Sequence, residues 1–176
     1  TVNSVQRLFY NIPINTYFSL DLDGISALND SVGGVDVVSP ETIGEFVEGE
    51  SYHLVGQQAE SFVRTRDTSK TDSNNMRMQR QKVYIQSIMN TVLQQTKKDL
   101  TTPIDLFNAS APYSCTNLNP SKVSYLAQQA VLGGMNGIDM VSVPGQVTMG
   151  SKYAEFNVSE AEFYQLFLSI YYTKIE

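Results

Sequence analysis

The chain has 176 residues, 41% of them hydrophobic and 17% charged, which supplies one cored domain and excludes a disordered or fibrous chain. One cysteine, Cys115, and one histidine, His53, exclude an internal disulfide and a Cys/His zinc site, and leave His53 in ESYHLVG as the sole base for a Ser/His/Asp or Cys/His mechanism. A net charge of −6 and a pI near 4.7 argue against a duplex nucleic-acid binder, and no run approaches the roughly 18 apolar residues of a membrane span.

Thr1 opens on helix-like sequence with none of the regions of a signal peptide, so the chain reads as a soluble domain. Val2, Val5, Leu8 and Phe9 recur at helical spacing until Pro13. From Asn15 to Asp23 the period becomes two, with Thr16, Phe18, Leu20 and Leu22 on one face of a strand. A helix over ISALNDSV ends at Gly33-Gly34, and Val35 to Val38 reads as another strand. This βαβ-like rhythm predicts an α/β fold, a central mixed β-sheet flanked by helices in α/β/α layers. Ser39 to Gln57, with Pro40, Gly44, Gly49 and Gly56, predicts an irregular or short-hairpin region. A brief helix follows over Gln57–Val63, then extended VRTRD and a polar loop over 67–73. The strongest helix pattern runs from Asn74 to about Gln95, with Ser73 or Asp72 as its cap. IDLFNASA is a short helix, Asn119-Pro120 starts another through Leu132, and Val141 to Met149, broken by Pro144-Gly145, is a turn or strand pair. Ser159 and Glu162 form a capping-box spacing before a last helix. No internal repeat or linker divides the chain, so residues 1–176 form a single domain.

The positive charge is concentrated. Arg64, Arg66, Lys70, Arg77, Arg80 and Lys82 share one stretch whose acids are Asp67 and Asp72, so this window carries +4 and the remainder −10. Arg77, Arg80 and Gln81 stand at i, i+3 and i+4, near the start of the long helix. Arg64 and Arg66 share one side if VRTRD is extended. Guanidinium forks beside a helix N-terminus suit a diphosphate. The competing reading is a solvated basic face, and the i±4 acids it needs are missing from the window.

These residues carry a resemblance. INTYFSLDLDGISALNDSVGGVDV, QQAESFVRTRD and NNMRMQRQKVYI together resemble the strand, helix, Gly-Gly-Val-Asp-Val, Arg-x-Arg and Arg-x-x-Arg-Gln blocks of the LytR–CpsA–Psr family, over residues 1 to about 96. The resemblance implies an extracytoplasmic, membrane-anchored phosphotransferase that moves a glycopolymer, such as wall teichoic acid or capsule, from an undecaprenyl-diphosphate carrier to peptidoglycan. It implies catalytic and diphosphate-binding roles for Arg64, Arg66, Arg77 and Arg80, with Gln81 binding beside them, and it implies Mg²⁺ and an apolar pocket for the polyprenyl chain. Two rival expectations are a polyprenyl-diphosphate or anionic-polymer binding module without turnover, and a DNA-binding attenuator.

The family's membrane helix and the early strands with its metal-ligating aspartates have no counterpart before Thr1. The metal ligands are therefore expected outside this sequence, and an exposed sheet edge is expected to favour self-association or an N-terminal partner segment. Asp21 and Asp23 read as a solvent face and turn rather than as ligands. Tyr164, Phe167, Tyr171 and Tyr172, like Met76, Met78 and Met89, read as packing residues, Cys115 as a passive thiol, and Asp67 as a salt-bridge partner of the arginines.

Overall fold

The computed structural model describes residues 1–67, 69, 73–151 and 153–172. The chain forms two compact units, Asn15–Asp139 and Thr1–Ile14 with Met140–Glu176.

In the larger unit the elements follow as β1 (Phe18–Leu20), α2 (Gly24–Ser31), β2 (Val35–Val38), β3 (Ser51–Leu54), α3 (Gln57–Arg64), α4 (Ser73–Lys98), α5 (Thr102–Ser110), β4 (Ser114–Thr116) and α6 (Pro120–Leu132). The α/β class is the expected one, built of helices and small sheets. The strands pair locally: β2 with β3 antiparallel, Val35 opposite Leu54 and Val38 opposite Ser51, and β1 with β4, Phe18 opposite Thr116. Consequently β1 and β2 lie in separate two-stranded sheets rather than side by side. The strand expected over Asn15–Asp23 shortens to Phe18–Leu20, the residues that pair with Ser114–Thr116, and Asp23 becomes the N-cap of α2. Of the two readings of Ser39–Gln57, the hairpin is the one that forms.

The core gathers where these elements meet. β2 turns Val35 and Val37 inward and Asp36 and Val38 outward, as the strand period requires. Leu54, Ala59, Phe62, Val63, Tyr84 and Ile88 close on them, and the Phe46 ring meets Phe62 edge-on at 5.0 Å. Full burial of each large apolar side chain stabilises by about 1.5–3 kcal/mol. Between α2 and β2 the chain reverses in a Schellman turn, in which Gly33 N–H donates to Asp30 O and Gly34 N–H to Asn29 O. Gly34 sits at φ +93°, and a Cβ there would lie 2.4 Å from His53 Nε2 and 2.9 Å from Leu54 O.

α4 is the spine of this unit. Its 26 residues rise about 39 Å, and Arg80, Tyr84 and Ile88, spaced four apart, form one buried stripe. Tyr84 Oη donates to Asn29 Oδ1 at 3.3 Å, and Asn29 Nδ2 donates to Leu54 O at 2.8 Å, so α4, α2 and β3 share one buried polar link. Burial pushes the Tyr84 phenol far up, so it remains a donor. Further along, Gln95 Nε2 donates to Val32 O at 2.7 Å, meeting a carbonyl at the C-terminus of α2. At α6 the expected start holds: Asn119 Oδ1 accepts from Lys122 N at 2.9 Å ahead of Pro120.

The smaller unit contains α1 (Val2–Leu8), a hairpin of β5 (Gly145–Met149) and β6 (Ala154–Val158), and α7 (Glu160–Tyr171). Phe9 and Tyr10 pack on Phe163 at centroid distances of 5.4 and 5.8 Å, giving this unit an aromatic core with Phe167. β5 follows Pro144 and pairs forward with β6, Val147 opposite Phe156, instead of back across Pro144. Ser159 is the N-cap of α7, but its side chain makes no capping bond. Among the described residues no helix is long and apolar enough to cross a membrane.

Candidate functional site

The site forms where α3 ends and α4 begins. A helix C-terminus leaves carbonyls without intrahelical partners, and at α3 two neighbouring residues of α4 supply donors. Arg80 NH1 donates to Phe62 O and NH2 to Thr65 O, while Gln81 Nε2 donates to Val63 O at 3.2 Å. Arg80 Nε donates to Glu41 Oε1 at 2.7 Å. Arg80 is fully buried and Glu41 is 7% exposed, so this is an interior ion pair. Thr65 is extended, with φ −55° and ψ 136°, and its N–H still donates to Ser61 O at 3.1 Å. It is the hinge residue between helical Arg64 and exposed Arg66.

The other guanidiniums lie around this frame. Arg66 Nε donates to Ser73 Oγ at 3.1 Å, and Arg77 NH2 donates to Asn74 Oδ1 at 2.9 Å, so both are tethered to the first two residues of α4. That first turn contains no acidic residue. Arg77 Nε is buried and has no hydrogen-bond partner among the described residues. Arg64 NH1 donates to Glu60 Oε1 at 2.7 Å and stands 4.0 Å from Asp23 Oδ1, with its side chain 58% exposed. The Arg64 guanidinium, and after it the Gln57 amide, hold the Glu60 carboxyl below the usual carboxylate range. Asp67 Oδ1 accepts from Ser69 N at 3.1 Å. Lys70 and Asp72 of the same basic window lie outside the described residues.

The structure thus brings Arg64, Arg66, Arg77, Arg80 and Gln81 to one helix junction. Arg66 and Arg77 face the first turn of α4, Arg64 is exposed at the end of α3, and Arg80 and Gln81 are turned inward onto backbone carbonyls. The arginines are not free of acids as the window implied. Glu60 stands four residues before Arg64, just outside the window, and Glu41 comes from the β2–β3 loop. Glu60 was legible as an i, i+4 partner on a short helix. Glu41 was not, because only the fold brings residues 41 and 80 together.

The described residues contain no group of three or more His, Cys, Asp or Glu side chains that would hold a metal ion. Glu41 and Glu60 are committed to arginines, and Asp23 stands beside Arg64. These side chains alone do not make a magnesium cage.

A second feature lies further along α4. Met89, Val92 and Leu93 form an apolar cavity of about 300 Å³ with Pro103 of α5, Leu126 and Ala130 of α6, and their neighbours. From Arg77 to Met89 the helix rises about 18 Å. His53 lies elsewhere, on the exposed face of the β2–β3 hairpin. Its Nδ1 is 2.8 Å from Asp36 Oδ1 and its Nε2 is 3.1 Å from Gly33 O, so both ring nitrogens are occupied and neither is left to serve a serine.

The comparisons with known proteins agree with this architecture. A polyisoprenyl-teichoic acid–peptidoglycan teichoic acid transferase, TagU of Bacillus cereus, is 28% identical over 152 residues, 82% of this chain and 47% of that protein. The chain therefore spans about half the length of this curated relative. Among solved structures, Bacillus subtilis TagV superposes with a TM-score of 0.72 at 22% identity, covering 98% of this chain and 70% of that one. TagT bound to LI-WTA gives a TM-score of 0.69 at 15% identity, covering 97% and 64%. The profile of the LytR_cpsA_psr family matches residues 1–168, and the chain belongs to that family, LytR–CpsA–Psr.

Proposed function

We propose that this chain is the diphosphate-gripping part of an extracytoplasmic transferase that moves a glycopolymer from a polyprenyl-diphosphate carrier onto peptidoglycan, in a protein held at the membrane by a segment outside this sequence. The observation that carries the reading is the tethering of Arg66 and Arg77 to the first turn of an acid-free helix, with a buried Arg77 Nε that has no hydrogen-bond partner among the described residues. Guanidinium forks and helix N–H groups bind phosphate oxygens in pairs. Arg64, exposed at the end of α3, completes the set. The apolar cavity along α4 is of the right character for a prenyl chain whose headgroup sits at the arginines. The curated relative's teichoic acid transferase name supports the reaction class.

In this reading a sugar hydroxyl of the acceptor attacks the phosphorus that bears the glycopolymer and gives up its proton to water. The bond to the lipid phosphate breaks, and negative charge grows on the departing phosphate oxygens. Arg64, Arg66 and Arg77 hold the diphosphate in line and meet that charge; Gln81 and Arg80 fix the frame from which they reach. Mg²⁺ would add charge neutralisation when bound. Because the described carboxylates form no cage for it, no step is assigned to the ion.

Isothermal calorimetry with farnesyl diphosphate, on the chain and on an Arg64→Ala/Arg77→Ala variant, tests the reading. Each charge-assisted bond contributes about 1.5–3 kcal/mol, so affinity should fall roughly a hundredfold or more in the double variant. Equal affinity in both proteins refutes the arginine site. Binding without release of polyprenyl phosphate by the full-length protein refutes catalysis and leaves a binding module.

A further inference from the structure

Two arginines three residues apart on α4 have opposite environments. Arg77 is half-buried and keeps a nitrogen without a partner among the described residues, whereas Arg80 is fully buried with Nε, NH1 and NH2 each bonded to a protein oxygen. A phosphate could reach Arg80 only by displacing Glu41 or a carbonyl of the α3 terminus. We propose that Glu41 and Arg80 are a positioning pair that sets the Arg64–Thr65–Arg66 segment for the diphosphate without touching it.

The geometry explains why the interior holds charges here. The three acceptors come from three separate places: a loop carboxylate, the last turn of α3 and the hinge residue Thr65. A planar guanidinium fork serves all three at once, and a lysine point charge does not. Stability alone is a weak reason for a buried ion pair, since an apolar pair of similar volume is often as stable or more so. What the pair adds is direction. Arg80 NH2 holds the Thr65 carbonyl, at the residue where helix turns to extended chain, and thereby sets the angle at which Arg64 and Arg66 leave the backbone. Glu41 is fixed in turn, because Ser39, 1% exposed, donates its hydroxyl to Glu41 O at 2.7 Å. The β2–β3 loop is thus connected to the arginines through one buried bond.

This inference rests on the diphosphate reading, and the test separates the two. Farnesyl diphosphate binding is measured on the wild type, Arg80→Lys, Glu41→Gln, Arg66→Ala and Arg80→Lys/Arg66→Ala, together with hydrogen exchange of the amides at 65–67. A misplacement of the arginines should weaken binding by about ten- to a hundredfold in Arg80→Lys and speed exchange at 65–67 while α6 exchanges as before. The double variant should bind more weakly than Arg66→Ala alone, but by less than the full Arg80→Lys loss, because the pair acts partly through Arg66 and partly through Arg64. If Arg80→Lys does not fold, Glu41→Gln carries the same comparison. Faster exchange with unchanged affinity makes the pair merely structural and overturns the proposal, as do additive losses in the double variant. No binding by the wild type overturns the diphosphate reading and this inference with it.

Discussion

Replacing Arg80 with methionine tests the energetics of the buried pair directly. The substitution leaves the Glu41 carboxylate, 7% exposed, without its guanidinium, and removes the donors that meet Phe62 O and Thr65 O. Breaking one side of a buried ion pair costs about 3–5 kcal/mol. With a urea slope of about 2 kcal/mol per molar, a 4 kcal/mol loss lowers the unfolding midpoint by about 2 M. Arg80→Met/Glu41→Leu removes both charges and should recover part of that loss, since an apolar pair carries no desolvation cost while Phe62 O and Thr65 O stay without their donors. Urea titrations followed by circular dichroism on the three proteins decide the matter. A single variant that loses less than about 1 kcal/mol, the range of an exposed pair, would refute an interior ion pair, as would a double variant no more stable than the single one.

Other substitutions probe separate features. Gly34→Ala places a methyl group 2.4 Å from His53 Nε2 and 2.9 Å from Leu54 O at φ +93°, and should cost at least about 2 kcal/mol, read as a lowered thermal midpoint. His53, whose charged form both Asp36 Oδ1 and Gly33 O accept, titrates above its ordinary value chiefly through the Asp36 bond. Its contribution to stability is therefore complete below about pH 6.5 and disappears as pH rises through the elevated folded value, so urea midpoints of wild type and His53→Gln should converge at alkaline pH; a constant gap rejects this. Ala127→Phe, on the α6 wall of the apolar cavity, should weaken binding of a long-chain polyprenyl diphosphate while leaving inorganic pyrophosphate unaffected, and equal effects on both would move the lipid chain elsewhere.

The helices were legible because burial imposes a period of 3.6 residues, and α4 shows how far that goes. Its apolar pattern spans Asn74 to about Gln95 whereas the helix spans Ser73–Lys98, because Thr96, Lys97 and Lys98 continue the backbone pattern without an apolar face to announce it. β4 had no legible signal: three residues, Ser114–Thr116, gain their structure from β1 nearly a hundred positions away. β6, by contrast, alternates apolar Ala154, Phe156 and Val158 with polar Glu155 and Asn157, a strand signal of period two that its pairing with β5 realises. Within the candidate site, the arginines were visible as a charge cluster and as blocks of the family pattern, but charge alone does not tell an outward guanidinium from an inward one. Burial separates Arg77 from Arg80, and Glu41 becomes visible only once the β2–β3 loop is folded against α4.

The capping of two helix ends by α4 side chains also has a kinetic consequence. Until α4 docks, Val32 O at the end of α2 and Phe62, Val63 and Thr65 O at the end of α3 lack the donors they have in the native protein. Both ends should therefore fray in any folding intermediate that lacks α4 and become firm in the same step. Gln81→Ala and Gln95→Ala, fourteen residues apart on one helix, should accordingly slow folding to a similar degree if docking is the rate-limiting event. The arginine junction would then be among the last parts of the unit to acquire its shape.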